Sequence, residues 1–254
     1  MHFLTNGEAF GPARCHMYTV EWQKRGLPHA HILLWLTVRL DPNKIDSVIT
    51  AEIPDYDEDP LLHNIIKRTM IHGPCGPDKL NAPCTINGKC SKGYPRSFLT
   101  HTVTGLDGYP LYRRRSVKQG GKSVTIANKQ IENNFVVPYN PTLSRMFDAH
   151  INVEYCASIK SIKYICKYIN KGSDQAAFSL QRDTDEITNF VVGRYISTDE
   201  AMHRIYGFLI HDRSPSVEQL CVHLENGQRV NNTGSVGKFS QSNSFTTQDA
   251  VVAT

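Results

Sequence analysis

The chain has 254 residues, of which 40% are hydrophobic and 20% charged, and its formal net charge is +4 at pH 7. This composition is typical of a globular chain with a sizeable core, and it excludes a disordered or fibrous protein. No apolar run approaches about 18 residues, which argues against a membrane span. The seven cysteines, with no secretory signal recognised, indicate a reducing compartment rather than a disulfide framework.

The first part of the chain is predicted to hold a β-hairpin, a short amphipathic segment and an insert. Residues 16–22 (HMYTVEW) and 29–37 (HAHILLWLT) are rich in β-forming residues, and the turn-like QKRGLP joins them. We therefore expect two antiparallel strands. Residues 61–72 (LLHNIIKRTMIH) read as a short amphipathic segment. Residues 72–95 are dense in Gly, Pro and Cys, which predicts a loop-rich insert.

The second part of the chain is predicted to contain both strands and helices. Strands are expected at residues 109–116, 122–140 and 150–154, with the first two forming a hairpin around KQGGK. Helices are expected at residues 155–172, where Gly172 is placed to end the helix, and at residues 198–208.

Two alternating histidines suggest a metal site on the second strand. His29 and His31 share one face of that strand, roughly 7 Å apart at about 3.3 Å per residue. Imidazole is the commonest metal-binding side chain, and Glu21 on the partner strand can add a carboxylate. Such a set would suit Mg²⁺ or Mn²⁺. The structural alternative is two surface histidines on an edge strand with no ligand.

Two tyrosines lie four residues apart in the predicted helix 155–172, so they share one helical face. A basic stripe follows the same helix: Lys160, Lys163, Lys167 and Lys171. Tyr164 and Tyr168 could be phenolic nucleophiles, with the lysines holding backbone phosphates. The structural alternative is an amphipathic helix whose tyrosines pack into the core.

The insert and a run of arginines supply two further candidate sites. One imidazole and three thiols in H-x2-C-x8-C-x5-C spacing form a possible zinc set: His72, Cys75, Cys84 and Cys90. The alternative is a loop with three reduced cysteines. Arg113, Arg114 and Arg115 are either solvated side chains or contacts that follow a DNA backbone.

Several segments together resemble the Rep-like domain of Helitron transposases, which belongs to the HUH single-strand endonucleases. The matching segments are VEWQKRGLPHAHILLWL, MIHGPCG, PCTINGKCSKGYP, VVPYNPTLSRMFDAHINVEYC, IKYICKYINKG and RYISTDEAMHRIYGF. They run in order from about residue 16 to residue 224, some four fifths of the chain.

The resemblance implies an α+β fold, in which an antiparallel sheet related to RNA-recognition-motif domains is flanked by helices and enlarged by the Cys-rich insert. It implies His29 and His31 as ligands of a catalytic divalent cation, with Glu21 at the spacing of a third ligand in some viral relatives. It implies Tyr164 and Tyr168 as the nucleophiles of a metal-dependent DNA endonuclease and strand transferase. The implied partner is single-stranded DNA, the implied location is the nucleus, and no membrane is involved.

The domain expectations follow from this resemblance. Residues 1–230 are expected to form the Rep-like domain, truncated at its N-terminus, and residues 231–254 a flexible polar tail. Full-length relatives carry a helicase domain on the same chain, but the sequence here has no P-loop motif, G-x4-G-K-[ST]. The alternatives are an inactive nucleic-acid-binding remnant and, less closely, a metal-dependent oligonucleotide hydrolase.

Overall fold

The fold is described from a computed structural model, over residues 1–7, 9–22, 26–38, 40–41, 44–104, 110–156, 196–216 and 250–253. Its helices are α1 (His2–Thr5), α2 (Ile45–Val48), α3 (Pro60–Thr69), α4 (Pro141–Phe147) and α5 (Thr198–Ile205). Its longer strands are β1 (Ala13–Trp22), β2 (Pro28–Leu36), β7 (Ser123–Ile126), β8 (Lys129–Glu132), β9 (Val153–Cys156), β10 (His211–Ser214) and β11 (Ala250–Ala253). Two-residue strands are β3 (Thr85–Ile86), β4 (Lys89–Cys90), β5 (Val103–Thr104) and β6 (Pro110–Leu111). None of these described helices is long and apolar enough to cross a bilayer.

The main sheet has five strands in the order β10–β1–β2–β11–β9, and every neighbouring pair is antiparallel. The predicted hairpin of β1 and β2 is confirmed. Its register places Glu21 opposite His29 and Thr19 opposite His31. Strand β2 is the central strand of the sheet, and β11 pairs with its residues 32–35, beyond the two histidines.

A close approach explains the glycine in the β1–β2 connection. Gly26 has a φ of +79°, and a Cβ there would lie 2.8 Å from the Cβ of Ser197. Ser197 is the N-cap of α5, where its hydroxyl accepts a hydrogen bond from the N–H of Glu200. The start of α5 therefore packs directly against the hairpin turn.

The main core lies on one face of the sheet, as the alternation of β2 predicts. Leu34 and Leu36 are buried there with residues from the neighbouring strands and from α2 and α4, including Ile45, Ile49, Leu143, Val153, Tyr155 and Val251. Leu33, on the histidine face, is also fully buried. The protein is thus a mixed α/β fold built on antiparallel sheets.

A second core cluster forms around α3 and the β7–β8 hairpin. Its buried members are Ile53, Leu62, Ile66, Met70, Val124, Val136, Val137 and Tyr139. Helices α3 and α4 begin in the same way, with an Asp or Asn cap followed by proline. The side chain of Asp59 accepts from the N–H of Leu62 at 3.0 Å, and that of Asn140 accepts from the N–H of Leu143 at 2.9 Å. Helix α4 was not predicted from the sequence.

Two sequence expectations about hairpins and strands need correction. The β7–β8 hairpin turns at Ala127 and Asn128, whose φ angles of 48° and 61° are those of a type I′ turn. In the KQGGK segment, residues 117–119 instead form a short 3-10 helix that Gly120 ends in a left-handed conformation. The predicted strand at 150–154 begins later, at Val153.

The C-terminal end of the described chain also differs from expectation. Residues 250–253 were expected in a flexible tail, yet they form β11 between β2 and β9. Their sequence, AVVA, is apolar and β-branched at its centre, and Val251 is fully buried. Because the preceding residues are mostly polar, the sequence pattern did not indicate this short strand. The rest of the predicted tail, apart from these four residues, lies outside the described residues.

A buried carboxylate links the two core clusters. Glu52 is 7% exposed and forms ion pairs with Arg113 at 3.1 Å and Arg115 at 2.7 Å. The backbone N–H of Arg115 also donates to Glu52, and the side chain of Asn133 joins the network. Burial opposes ionisation, but the hydrogen bonds from Arg115 and the charge of Arg113 lower the pKa of Glu52 overall.

The Glu52 network generates a prediction for stability. Glu52→Ala removes the acceptor of the Arg115 guanidinium and backbone N–H and leaves Arg113, among the described residues, only the 3.7 Å contact with Asp46, and should cost about 2–4 kcal/mol of unfolding free energy. Lys129→Ala, which breaks an exposed ion pair with Asp78, should cost less than about 1 kcal/mol.

Chemical denaturation of the three proteins measures this difference. Because the folded pKa of Glu52 is lowered, its contribution should be present above the usual value of 4.5 and be lost as the pH falls below it. Equal stability of Glu52→Ala and Lys129→Ala at neutral pH would contradict the prediction.

Candidate functional site

The paired histidines lie at the start of β2 and contact each other. Their ring centroids are 4.7 Å apart, with the ring planes at 73°. His31 is buried, and burial together with the neighbouring His29 lowers its pKa to about 4. Burial and His150 lower the pKa of His29, whereas Glu21 raises it. Both rings are therefore neutral at neutral pH, the form in which imidazole binds a metal ion.

Glu21 and His150 lie beside the histidine pair. Glu21 is the cross-strand neighbour of His29. His150 donates a hydrogen bond from Nδ1 to the carbonyl of Thr69 at 2.7 Å, which fixes its ring. In the described parts of the chain, these oxygen and nitrogen atoms do not form a cluster of three close ligand atoms. The structure thus brings His29 and His31 together and sets Glu21 next to them without completing a metal site.

The cysteine-rich insert, in contrast, does form a compact ligand cluster. One potential ligand atom from each of four residues lies within 4.8 Å of all the others: His72, Cys75, Cys84 and Cys90. The Nε2 atom of His72 is 3.2 Å from the Sγ of Cys90 and 3.6 Å from the Sγ of Cys84. A tetrahedral metal with bonds of about 2.0–2.3 Å places its ligand atoms roughly 3.5–3.8 Å apart. This cluster could bind a metal ion.

Local backbone structure explains how the four side chains meet. Strands β3 and β4 form a small hairpin with Asn87 and Gly88 at its turn, both with positive φ. This hairpin brings Cys84 and Cys90 close together. The N–H of His72 donates to the carbonyl of Phe135, which anchors the other side of the cluster to the second core.

The electrostatics of the cluster also suit a cation. Burial, followed by hydrogen bonds with Cys90 and Cys84, raises the pKa of Cys75 to about 12. Burial opposes ionisation of Cys90 as well, but N–H groups of Tyr94 and Lys92 and the other thiols lower its pKa overall. Three thiols this close cannot all ionise without a compensating positive charge. A metal ion bound by the cluster would supply that charge.

The histidine pair and the His/Cys cluster are neighbours. Burial, and then the charges of Arg96, Lys92 and His150, lower the pKa of His72. His150 also contributes to the lowered pKa of His29, so it lies near both groups. On its other side, the ring of His72 stacks on Tyr94, with centroids 4.2 Å apart and planes at 20°. The guanidinium of Arg96 lies 5.1 Å from the centre of the Tyr94 ring. Tyr94 and Arg96 were missed by sequence reasoning, although SKGYPR follows Cys90 directly.

The three predicted DNA-binding arginines have different environments. Arg113 and Arg115 point to Glu52, so their charges are used inside the protein and neither is simply solvated. Arg114 points the other way and is only 4% exposed. The predicted nucleophiles Tyr164 and Tyr168, and the lysines at 160, 163, 167 and 171, lie outside the described residues.

Comparison with known sequences connects the histidine strand to one family. A family model described as the Helitron helicase-like domain at N-terminus matches residues 1–34, which is 34 of the 254 residues. The matched residues include β1 and most of β2, with Glu21, His29 and His31. No curated protein matches the chain. The match supports a Helitron-related protein and, through it, a family of nucleic-acid enzymes.

Proposed function

We propose that this chain is a Helitron-type HUH endonuclease that nicks and transfers single-stranded DNA. The observation that carries the proposal is the contact of two neutral histidines on the central strand of an antiparallel sheet. That strand lies in the segment that the Helitron family model matches. Such a sheet with its histidine pair is also what a Rep-like fold requires.

The protein groups suit a weakly held divalent cation. His29 and His31 would supply two nitrogen ligands, and Glu21 a carboxylate close to them. Mg²⁺ and Mn²⁺ sites in phosphoryl-transfer enzymes often use few protein ligands and are completed by water and substrate phosphate oxygens. A divalent cation held there would polarise the scissile phosphate and stabilise the charge that develops on it.

The proposed reaction uses the tyrosines of the predicted helix. The phenolic oxygen of Tyr164 or Tyr168 forms a bond to phosphorus while the bond from phosphorus to the 3′ oxygen breaks. The phenol loses its proton and the departing 3′ oxygen gains one, which leaves a 5′-phosphotyrosine and a free 3′-OH. Lys160, Lys163, Lys167 and Lys171 would hold neighbouring phosphates. Two tyrosines would allow donor and target strands to be exchanged in succession.

The proposal also covers partners and location. Single-stranded DNA is the proposed substrate, and a helicase domain on the same chain is the proposed partner in full-length relatives. Transposition acts on nuclear DNA in eukaryotic cells, so a nuclear location is proposed, with no membrane association.

For the insert, we propose a structural zinc ion bound by His72, Cys75, Cys84 and Cys90. One imidazole and three thiolates form a common structural zinc set, and structural sites use all four positions for protein ligands. The four ligand atoms already lie within 4.8 Å of one another. The insert has little other regular structure, so the metal would replace a core in holding it together.

The histidine pair generates the first test of this proposal. His29→Ala and His31→Ala should each lower manganese-dependent nicking of a single-stranded oligonucleotide at least about 100-fold, because each removes a metal ligand. The exposed His101, whose Nδ1 contacts only Thr100 among the described residues, gives the matched control His101→Ala. Gel analysis of cleaved oligonucleotide, with circular dichroism to verify folding, measures the effect. Wild-type nicking by both folded variants would refute the metal role.

A second test concerns the nucleophiles. Tyr164→Phe and Tyr168→Phe together should abolish the covalent protein–DNA adduct while leaving thermal stability nearly unchanged, because only the attacking oxygens are removed. Of the single variants, Tyr168→Phe should lose initial cleavage and Tyr164→Phe mainly strand transfer. Tyr56→Phe, at an exposed position, is the control. DNA binding without any adduct from the wild-type chain would instead identify a non-catalytic remnant.

The zinc proposal has its own measurement. Purified chain should contain one zinc per molecule, and Cys84→Ser or Cys90→Ser should lose it and unfold the insert to protease. Cys15→Ser, which alters a thiol far from the cluster in sequence, should keep the metal. Absence of zinc from the wild-type protein, with its three insert thiols alkylated under native conditions, would disprove the site.

A further inference from the structure

An arginine-lined cavity lies next to the insert, on the side of Tyr94 that carries Arg96. Its volume is about 530 Å³. The polar side chains that line it are Tyr94, Arg96, Ser97, Tyr112, Arg114 and Glu154. None of these residues belongs to the histidine pair or to the His/Cys cluster, so the cavity is separate from both.

Arg114 is a buried cation that the described protein does not neutralise. Its side chain is 4% exposed, and its Nη2 donates to the carbonyl of Val136 at 3.0 Å. Its Nη1 has no hydrogen-bond partner among the described residues. Within that same part of the chain, Arg113 and Arg115 each pair with Glu52, whereas no carboxylate pairs with Arg114. A buried guanidinium with a spare N–H edge is costly unless an anion meets it.

A second cation lines the same cavity. Burial lowers the pKa of the Arg114 guanidinium most; Tyr94 raises it through its charge and a hydrogen bond, and the nearby charge of Arg96 lowers it. The guanidiniums of Arg96 and Arg114 therefore lie close enough to repel each other, and no ion pair joins either of them to a carboxylate in the described structure. The hydroxyl oxygen of Tyr112 accepts a hydrogen bond from the backbone N–H of Tyr155 at 2.8 Å, so the hydroxyl proton of Tyr112 remains available to donate to another acceptor. Ser97 adds a hydroxyl donor.

Glu154 sets the net charge of the cavity. Its Oε1 accepts from Asn152 at 3.3 Å, and it forms no ion pair with either arginine of the cavity in the described structure. Two guanidiniums and one carboxylate together give a net charge of about +1, which is matched by the single negative charge of a phosphodiester. Guanidinium groups bind phosphate oxygens through paired N–H donors, which suits the spare edge of Arg114.

We infer that this cavity binds one backbone phosphodiester of a single-stranded nucleic acid, with Arg114 and Arg96 as its principal donors. The strand itself is taken from the proposed function, whereas recognition of a phosphodiester follows from the cavity alone. The site would hold a part of the strand away from the reacting phosphate, so these arginines position the strand and take no part in the chemistry.

The test is the salt dependence of oligonucleotide binding, measured by fluorescence anisotropy without divalent cations so that no cleavage occurs. Each phosphate contact on a single strand contributes about −0.7 to the slope of log K against log salt. Arg96→Gln and Arg114→Met should each reduce the slope by about 0.7 and weaken binding about 5- to 10-fold at moderate salt. Lys118→Gln removes an exposed charge that does not line the cavity, and should weaken binding less than about 2-fold.

A second measurement needs no DNA. Dimethyl phosphate, a small phosphodiester, should raise the melting temperature of the wild-type chain above that in chloride of equal ionic strength, and Arg96→Gln should abolish this rise. Arg96 is exposed, so this variant decides the outcome if Arg114→Met fails to fold. Stabilisation by dimethyl phosphate that persists in Arg96→Gln would overturn the inference.

The two proposals fail separately. If Arg96→Gln and Arg114→Met reduce the slope of log K against log salt but the wild-type chain never nicks DNA, the endonuclease proposal is rejected and the phosphodiester site is kept. Nicking by a wild-type chain whose Arg96→Gln and Arg114→Met variants both keep the wild-type slope would reject the site alone. Equal losses of affinity in Lys118→Gln and Arg96→Gln would also reject it, because they would reflect general charge rather than this cavity.

Discussion

The buried carboxylate of Glu52 is the constraint on which the arrangement around the insert depends. In an extended segment, alternate side chains point to opposite sides, so binding of Arg113 and Arg115 by Glu52 turns Arg114 away from it. Arg114 then lies against the carbonyl of Val136, beside the residues that follow the insert's last cysteine. One internal ion-pair network thus both joins the two cores and directs a buried cation into a cavity.

The His/Cys cluster has a central position among the candidate sites. On one side, His150 acts electrostatically on both His72 and His29. On the other side, His72 stacks on Tyr94, which lies under Arg96. A metal ion that fixed His72 would therefore also fix the ring that supports one of the cavity's arginines. If the inferred phosphodiester site is correct, a structural metal would therefore matter to DNA binding, although it takes part in no reaction.

Local patterns predicted much of the fold, and long-range contacts account for what was missed. The β1–β2 hairpin and the grouping of His72 with three cysteines depend on residues close in sequence, and both were predicted. The amphipathic pattern at residues 61–72 was also recognised, and most of that segment forms α3. The pairing of β11 with β2 joins residues more than 200 positions apart, and four apolar residues are too few to indicate a strand by pattern. The run of three arginines looked uniform because the sequence does not show that Glu52 lies opposite two of them. For the same reason, the sequence did not show that Tyr94 stacks on His72 or that Arg96 lines the neighbouring cavity; only their positions in the structure do.

The geometry also explains why two different metal environments can coexist in one small region. Three thiols and an imidazole within 4.8 Å of one another favour a soft or borderline cation that is fully enclosed by protein. The histidine pair offers two neutral nitrogens and a nearby carboxylate, which leaves coordination positions for water and phosphate oxygens. Under the proposed function, the second environment would suit a harder cation that exchanges readily, because a catalytic ion needs an open coordination position and a structural ion does not. On the same proposal, the ligand types would therefore separate a structural ion from a catalytic one, with thiolates in the insert and imidazoles with a carboxylate on the sheet.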